Sequence, residues 1–192
     1  MRKYNIIYAD PPWRYNDRKC NGACEHHYNT MNIEDICNLP INEIAADDCV
    51  LFLWTTYPML QEAMQLITAW GFKYKTIAFQ WIKLNKSCNN PLFIAKNNIF
   101  FGLGRWTRGN TEPCLIAVKG KPKRINNSIS QIILEPIGKH SKKPDIVREK
   151  IVELMGDLPR VELFARNTTD GWDVWGNEVE SDIYLATKAE EE

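Results

Sequence analysis

Nothing in these 192 residues approaches the roughly 18-residue apolar run that a membrane-spanning helix requires. The chain opens Met1-Arg2-Lys3-Tyr4-Asn5-Ile6-Ile7-Tyr8, with no apolar leader core and no small-residue cleavage site. A soluble protein of the cytoplasm, or of the nucleus, is therefore expected. Internal repeats and low-complexity tracts are absent. Cysteine is too sparse for a disulfide scaffold: the six at 20, 24, 37, 49, 88 and 114 lie in a chain neither short nor secreted in character, so free thiols are expected, with Cys49 and Cys114 as small core residues. Disorder is excluded by 44% hydrophobic against 25% charged residues. The length suits one domain and is too short for two full ones.

Net charge is also lacking, but the balance of 24 Lys+Arg and 24 Asp+Glu hides a split. Residues 71–124 hold eleven Lys/Arg and a single acid, Glu112. That basic middle also carries Trp81 and Trp106. It suits a polyanion with stackable bases, or it is a solvated surface whose charges meet the acids of the rest of the chain in three dimensions.

Apolar patterning predicts strands at 4–9, 49–55, 75–82, 113–118 and 160–164, and helices at 32–39 (Asn32 as N-cap), 58–70 and 143–155. Polar loops are expected at 14–30, 85–111 and 121–140, and an irregular segment at 165–177. The strands do not alternate in polarity. The pattern is that of an α/β fold, a mostly parallel twisted sheet with helices on both faces. One domain over 1–180 is expected, with a frayed acidic tail at 181–192. Ligands of such sheets bind beyond the carboxyl ends of the strands, so Asp10, Thr55–Tyr57 and Ala165–Arg166 should line one cleft.

The first of these strands runs into Asp10-Pro11-Pro12-Trp13. Two prolines fix the backbone and leave carbonyls without neighbouring donors; an acid precedes them and an aromatic follows. The set suits a flat ring bearing an amino group, with Asp10 and the Pro11 carbonyl accepting the amino protons and Trp13 stacking on the ring. An ordinary strand-exit turn is the competing reading.

With that tetrapeptide after Asn5-Ile6-Ile7-Tyr8-Ala9, the chain resembles amino-group methyltransferases that use S-adenosylmethionine. More motifs follow in order: His27-Tyr28-Asn29-Thr30-Met31, Leu53-Trp54-Thr55, the stretch from Gly104 to Gly120 with Glu112 inside it, His140-Ser141-Lys142-Lys143-Pro144, Val161-Glu162-Leu163-Phe164-Ala165-Arg166 and Gly171–Glu178. Together they resemble the family of the eukaryotic mRNA adenosine methyltransferase catalytic subunit and of bacterial and phage DNA adenine methyltransferases, over about residues 4–180. The ending Trp175-Gly176-Asn177-Glu178 is similar to the bacterial and phage members.

The resemblance implies a Rossmann-like methyltransferase fold with the catalytic half before the cofactor half, S-adenosylmethionine as cofactor, and methyl transfer to the 6-amino group of adenine in nucleic acid, DNA ahead of RNA. It implies Asp10, Pro11, Pro12 and Trp13 as the catalytic loop. Glu162 is assigned to the cofactor ribose hydroxyls, Arg166, Asn177 and Glu178 to its ribose and adenine, Lys143 to its carboxylate, and Asp10 to its amine as well as the incoming base. Substrate contacts are expected from Trp13, His27, Tyr28, Trp106, Arg108, Glu112, Lys123 and Arg124. No Gly-x-Gly loop follows the Glu162 strand, so the cofactor assignment rests on the resemblance. The rival readings are a catalytically silent nucleic-acid-binding partner subunit, an RNA adenosine methyltransferase, and a nucleotide- or metal-binding regulatory module; a homodimer or heterodimer is left open. The short Cys20-x3-Cys24-x-His26-His27 group packs four ligands too tightly to wrap one ion well, so no metal is assigned to it.

Overall fold

The protein is described here by a computed structural model covering residues 2–14, 31–88, 94–104, 106–139 and 141–185. Its strands are β1 (Tyr4–Ala9), β2 (Ala45–Trp54), β3 (Lys73–Leu84), β4 (Thr111–Lys119), β5 (Ile132–Pro136), β6 (Arg160–Leu163) and β7 (Asp173–Trp175). Its helices are α1 (Ile33–Cys37), α2 (Ile41–Ile44), α3 (Leu60–Ala69) and α4 (Ile146–Met155). Hydrogen bonding orders the sheet β5-β3-β4-β2-β1-β6-β7. The pairings β1·β2, β1·β6, β3·β5 and β6·β7 are all parallel. The chain divides into two compact units, one of Met1–Thr76, Leu115–Pro122 and Leu158–Glu192, the other of Ile77–Cys114 and Lys123–Asp157.

In the first unit β1 is the central strand. Every side chain of β1 except Asn5 is buried, because β2 and β6 flank it and apolar layers cover both faces. Prolines 11 and 12 lack the N–H that a ladder needs, and the strand stops before them. β2 starts earlier than its apolar run suggests. The register jumps from Tyr4↔Ala45 to Ile6↔Val50, so the polar residues Asp47 and Asp48 sit in a bulge. α3 is entered through a 3-10 turn at Tyr57–Met59 and buries Ala63, Leu66 and Ile67. Asn32 precedes α1 in extended conformation, but its side chain makes no cap bond. Its Oδ1 accepts from Arg14 instead, at 2.9 Å. Two buried indoles bind distant parts together: Trp54 donates to the Tyr8 hydroxyl at 2.6 Å, and Trp70 to the Ile36 carbonyl at 2.9 Å.

In the second unit β5 corrects the expectation of an unbroken loop over 121–140. Ile132–Pro136 pairs in parallel with Gln80–Leu84. Only Ile133 of this strand is fully buried, and it ends on a proline. An edge strand tolerates both features, and neither leaves a strong mark in sequence. β7 likewise replaces part of the expected irregular segment 165–177. α4 begins at Ile146, behind Asp145, and buries Val147, Ile151 and Met155 at four-residue spacing; the sequence places its start at Lys143. Among the described residues no helix is long and apolar enough to cross a membrane, and Cys37, Cys49, Cys88 and Cys114 are free thiols.

Candidate active site

Four parallel strands of the first unit end level with one another. Ala9 pairs with Leu53 and with Leu163, and Leu163 with Trp175. The residues that follow, Asp10, Trp54–Thr55, Phe164–Arg166 and Gly176–Glu178, therefore leave the sheet along one edge. That is the convergence expected for Asp10, Thr55 and Ala165–Arg166, brought about by register alone.

Asp10 is half-buried and Pro11 buried. The turn closes on itself, with the Trp13 N–H donating to the Pro11 carbonyl at 2.8 Å and the Met31 N–H to the Pro12 carbonyl at 3.1 Å. This corrects the expectation that the prolines leave their carbonyls without donors. The Pro11 oxygen already accepts one bond and keeps one further lone pair. Trp13 is only 6% exposed, and its indole N–H donates to the Trp54 carbonyl at 3.2 Å. The ring is thus fixed to the end of β2.

On the other flank Glu162 is buried, in register with Tyr8 and Val174. It lies one residue short of the strand end, which is Leu163. Phe164 then takes a left-handed backbone, φ 61°, a conformation that costs a non-glycine residue about 1–2 kcal/mol. The bend carries Ala165 against β7: its N–H donates to the Trp175 carbonyl at 2.9 Å. A Cβ on Gly176 would come within 2.2 Å of the Ala165 carbonyl, so only glycine fits there. The outcome is that Arg166 Nε and Glu178 Oε1 lie 3.4 Å apart on consecutive strand exits. Asn177 and Glu178 are exposed. The strained Phe164 has no sequence signal apart from the missing glycines.

The second unit holds a charged cluster. Glu112 is 7% exposed; its Oε2 meets Lys83 Nζ at 2.7 Å and its Oε1 meets Lys143 Nζ at 3.0 Å. Burial pushes the Glu112 carboxyl up, but Lys143 and Lys83 together pull it below its ordinary value. The Lys83 ammonium also stands over the Trp81 ring, 4.9 Å from its centroid. Lys83 was not among the residues expected at a site; it lies one position past the strand expected at 75–82, and nothing local in the sequence marks it. Trp106 is 97% exposed, and Arg108, Lys123 and Arg124 are exposed. His27 and Tyr28, with Cys20, Cys24 and His26, lie outside the described residues.

The model of one protein family, MT-A70, matches residues 4–178. The chain belongs to the MT-A70 family. Among curated proteins it is similar to the "Type II methyltransferase M.MunI" of Mycoplasma sp, 35% identical over 211 residues, 98% of this chain and 84% of that protein. It is 28% identical over 184 residues to the "N(6)-adenosine-methyltransferase catalytic subunit METTL3" of Homo sapiens, covering 94% of this chain and 29% of that protein. With the "N(6)-adenosine-methyltransferase MT-A70-like" protein of Arabidopsis thaliana it shares 27% over 179 residues, 92% of this chain and 24% of that protein. The chain thus spans under a third of these two eukaryotic relatives. It is a methyltransferase of the MT-A70 family, with the Rossmann-like α/β arrangement read from its sequence.

Proposed function

We propose that this MT-A70 chain transfers a methyl group from S-adenosylmethionine to the exocyclic 6-amino group of adenine in nucleic acid, and that its substrate is DNA. The observation that carries the reading is the Asp10-Pro11-Pro12-Trp13 turn at the level edge of β1, β2, β6 and β7. The adenine amine is a poor nucleophile because its lone pair is delocalised into the ring. The Asp10 carboxylate and the remaining lone pair of the Pro11 carbonyl accept its two protons. That favours pyramidalisation and stabilises the positive charge that grows on nitrogen, a fixed-dipole effect of the kind that dominates many active sites. No strong base is required, because the methylated ammonium loses its proton readily to water. A base inside a duplex cannot reach such a turn, so it must leave the stack.

The donor set fits the cofactor. A buried carboxylate, Glu162, suits ribose hydroxyls, and the neighbouring Arg166 and Glu178, with Asn177, offer donors and acceptors of both kinds for a nucleoside. In the second unit Lys143 is the cation the resemblance assigns to the methionine carboxylate, and Glu112 fixes its direction. S-adenosylmethionine, when bound, supplies the electrophilic methyl.

DNA as substrate is supported by the Trp175-Gly176-Asn177-Glu178 ending and by the higher identity to the Mycoplasma Type II methyltransferase than to the adenosine methyltransferases. The test is mass spectrometry of nucleosides after DNA or RNA has been incubated with the protein and isotope-labelled cofactor. Labelled N6-methyldeoxyadenosine is expected. Label in RNA alone overturns the DNA assignment, and label in neither overturns the activity.

A further inference from the structure

Trp13, the aromatic of the Asp10 turn, is largely spent on the fold. It is buried, and its indole N–H is held by the Trp54 carbonyl at 3.2 Å. Little of the ring is left for an adenine drawn to Asp10 and the Pro11 carbonyl. Stacking requires an aromatic with an open face at the same edge of the sheet. Among the described residues of the first unit three tyrosines are exposed: Tyr57 at 49%, Tyr74 at 39% and Tyr184 at 67%. Tyr74 is the second residue of β3. Tyr184 comes two positions after Asp182, whose N–H already donates back to the Val174 carbonyl in the middle of β7. Of the three, only Tyr57 follows a strand of the level edge directly, three residues past the end of β2.

The local backbone fixes Tyr57 there. Thr55 is buried, and its hydroxyl donates to the Met59 carbonyl at 3.3 Å; the Met59 N–H donates to the Thr56 carbonyl at 2.9 Å. These bonds close the 3-10 turn Tyr57–Met59, in which Met59 is buried and Tyr57 and Pro58 are exposed. Pro58 has its φ set by its ring, so the corner is rigid before any ligand arrives. Three residues span at most about 11 Å, so the Tyr57 backbone stays within that distance of Trp54, to which the Trp13 indole is fastened.

Strand order decides which ring system Tyr57 meets. β1 lies between β2 and β6. The residues that suit the cofactor nucleoside, Glu162, Arg166, Asn177 and Glu178, belong to β6 or follow β6 and β7, on one side of the Asp10 turn. Tyr57 follows β2, on the other side. A base gripped by Asp10 therefore has the cofactor residues on one flank and Tyr57 on the opposite one. A single tyrosine is far short of the about 800 Å² per partner that a stable protein contact needs.

We propose that the Tyr57 ring is the stacking plate for the target adenine, covering the face of the base while Asp10 and the Pro11 carbonyl accept its amino protons. This rests on the proposed activity and adds a substrate-binding residue on the β2 side of the turn.

The test compares Tyr57→Ala, Tyr57→Leu and Tyr57→Phe with wild type in three measurements. They are methylation kinetics on mixed-sequence duplex DNA, fluorescence anisotropy of labelled oligodeoxyadenosine against an abasic strand of equal length, and calorimetry of S-adenosylmethionine. Loss of one base stack should lower kcat/KM, and the affinity advantage of the adenine strand over the abasic one, roughly tenfold in the Ala and Leu variants. Phe keeps the ring and should stay near wild type, and cofactor binding should be unchanged in all three. Leu keeps the apolar bulk of the turn, so it carries the comparison if the Ala variant does not fold. Methylation and adenine advantage both unchanged in Ala and Leu overturn the stack and leave the activity standing. No methylation by wild type, with the adenine advantage still lost in Ala and Leu, supports the stack and sinks the activity. A loss in Phe equal to that in Leu overturns the proposal by making the hydroxyl the contact. Weakened S-adenosylmethionine binding in Leu also overturns it, by placing the ring on the cofactor.

Discussion

Replacing Glu112 by Gln removes one charge and almost no volume, at a point where two cations depend on it. The Lys143 side chain is 10% exposed and that of Lys83 is 23% exposed, so neither can regain full hydration without moving. The amide has one oxygen to offer where the carboxylate had two, and its NH2 would face an ammonium, donor against donor. Breaking a buried ion pair from one side costs about 3–5 kcal/mol. Lys83 can turn partly to water, which puts the expected loss near the lower end, about 3 kcal/mol. For a chain of this length that lowers the Tm by about 6–12 °C. The pH dependence carries a second signature. The carboxyl titrates below its ordinary value of 4.5 in the folded protein. Its contribution is therefore complete above that value and is lost as pH falls through the lower, folded value. Thermal melts of both proteins across the acid range should show a gap that is widest near neutrality and narrows below about pH 4.5. A gap under about 2 °C at neutral pH, or one that does not narrow in acid, refutes the argument that Glu112 is the hub of a desolvated cluster.

Asp10→Ala should lower methyl transfer by about 10²–10³-fold with little change in Tm, since it removes an acceptor aimed at the growing charge from a residue outside the strand; Asp10→Asn should be milder, and turnover within a few-fold of wild type sinks the mechanism. Trp13→Ala should now cost stability as well as base affinity, about 3–5 kcal/mol of unfolding free energy for a buried indole, and a melt identical to wild type would contradict its packing. Calorimetry of Arg166→Ala and Asn177→Ala should show weakened S-adenosylmethionine binding in each; normal binding in both removes the nucleoside assignment. For Lys123→Ala combined with Arg124→Ala, the slope of log affinity for duplex DNA against log salt should flatten by roughly one to two units, at about 0.9 per phosphate contact, with an unchanged slope placing the footprint elsewhere.

The strand–helix succession was legible because each buried strand writes a continuous apolar run: Tyr4–Ala9 is bounded in the structure as it is in the sequence. The elements that escaped notice are those whose stability comes from neighbours. β5 buries one side chain fully, its apolar run Ile132-Ile133-Leu134 being cut short by Glu135 and Pro136, and β7 has only three residues, so neither run is long enough to stand out as a strand. At the site, Asp10 and the Ala165–Arg166 exit were legible because strand ends in a parallel sheet converge by topology. The Glu112–Lys83–Lys143 cluster was half legible: Glu112 and Lys143 stood in motifs, but nothing local marks Lys83 as their partner across 29 and 60 positions. Charges that pair over such separations leave no periodicity to read.

Because Phe100 and Asn110 both end on Lys83, the nine residues between them form a closed cassette. Its two ends are already at the spacing the sheet needs, whatever lies between. Lengthening such an insert costs only closure entropy, about 0.6 kcal/mol for each doubling, and shifts no strand register. The Lys83 root is therefore a point at which this architecture can exchange one loop for another, by transplanting residues 101–109 from a related chain, while β3 and β4 are left as they are.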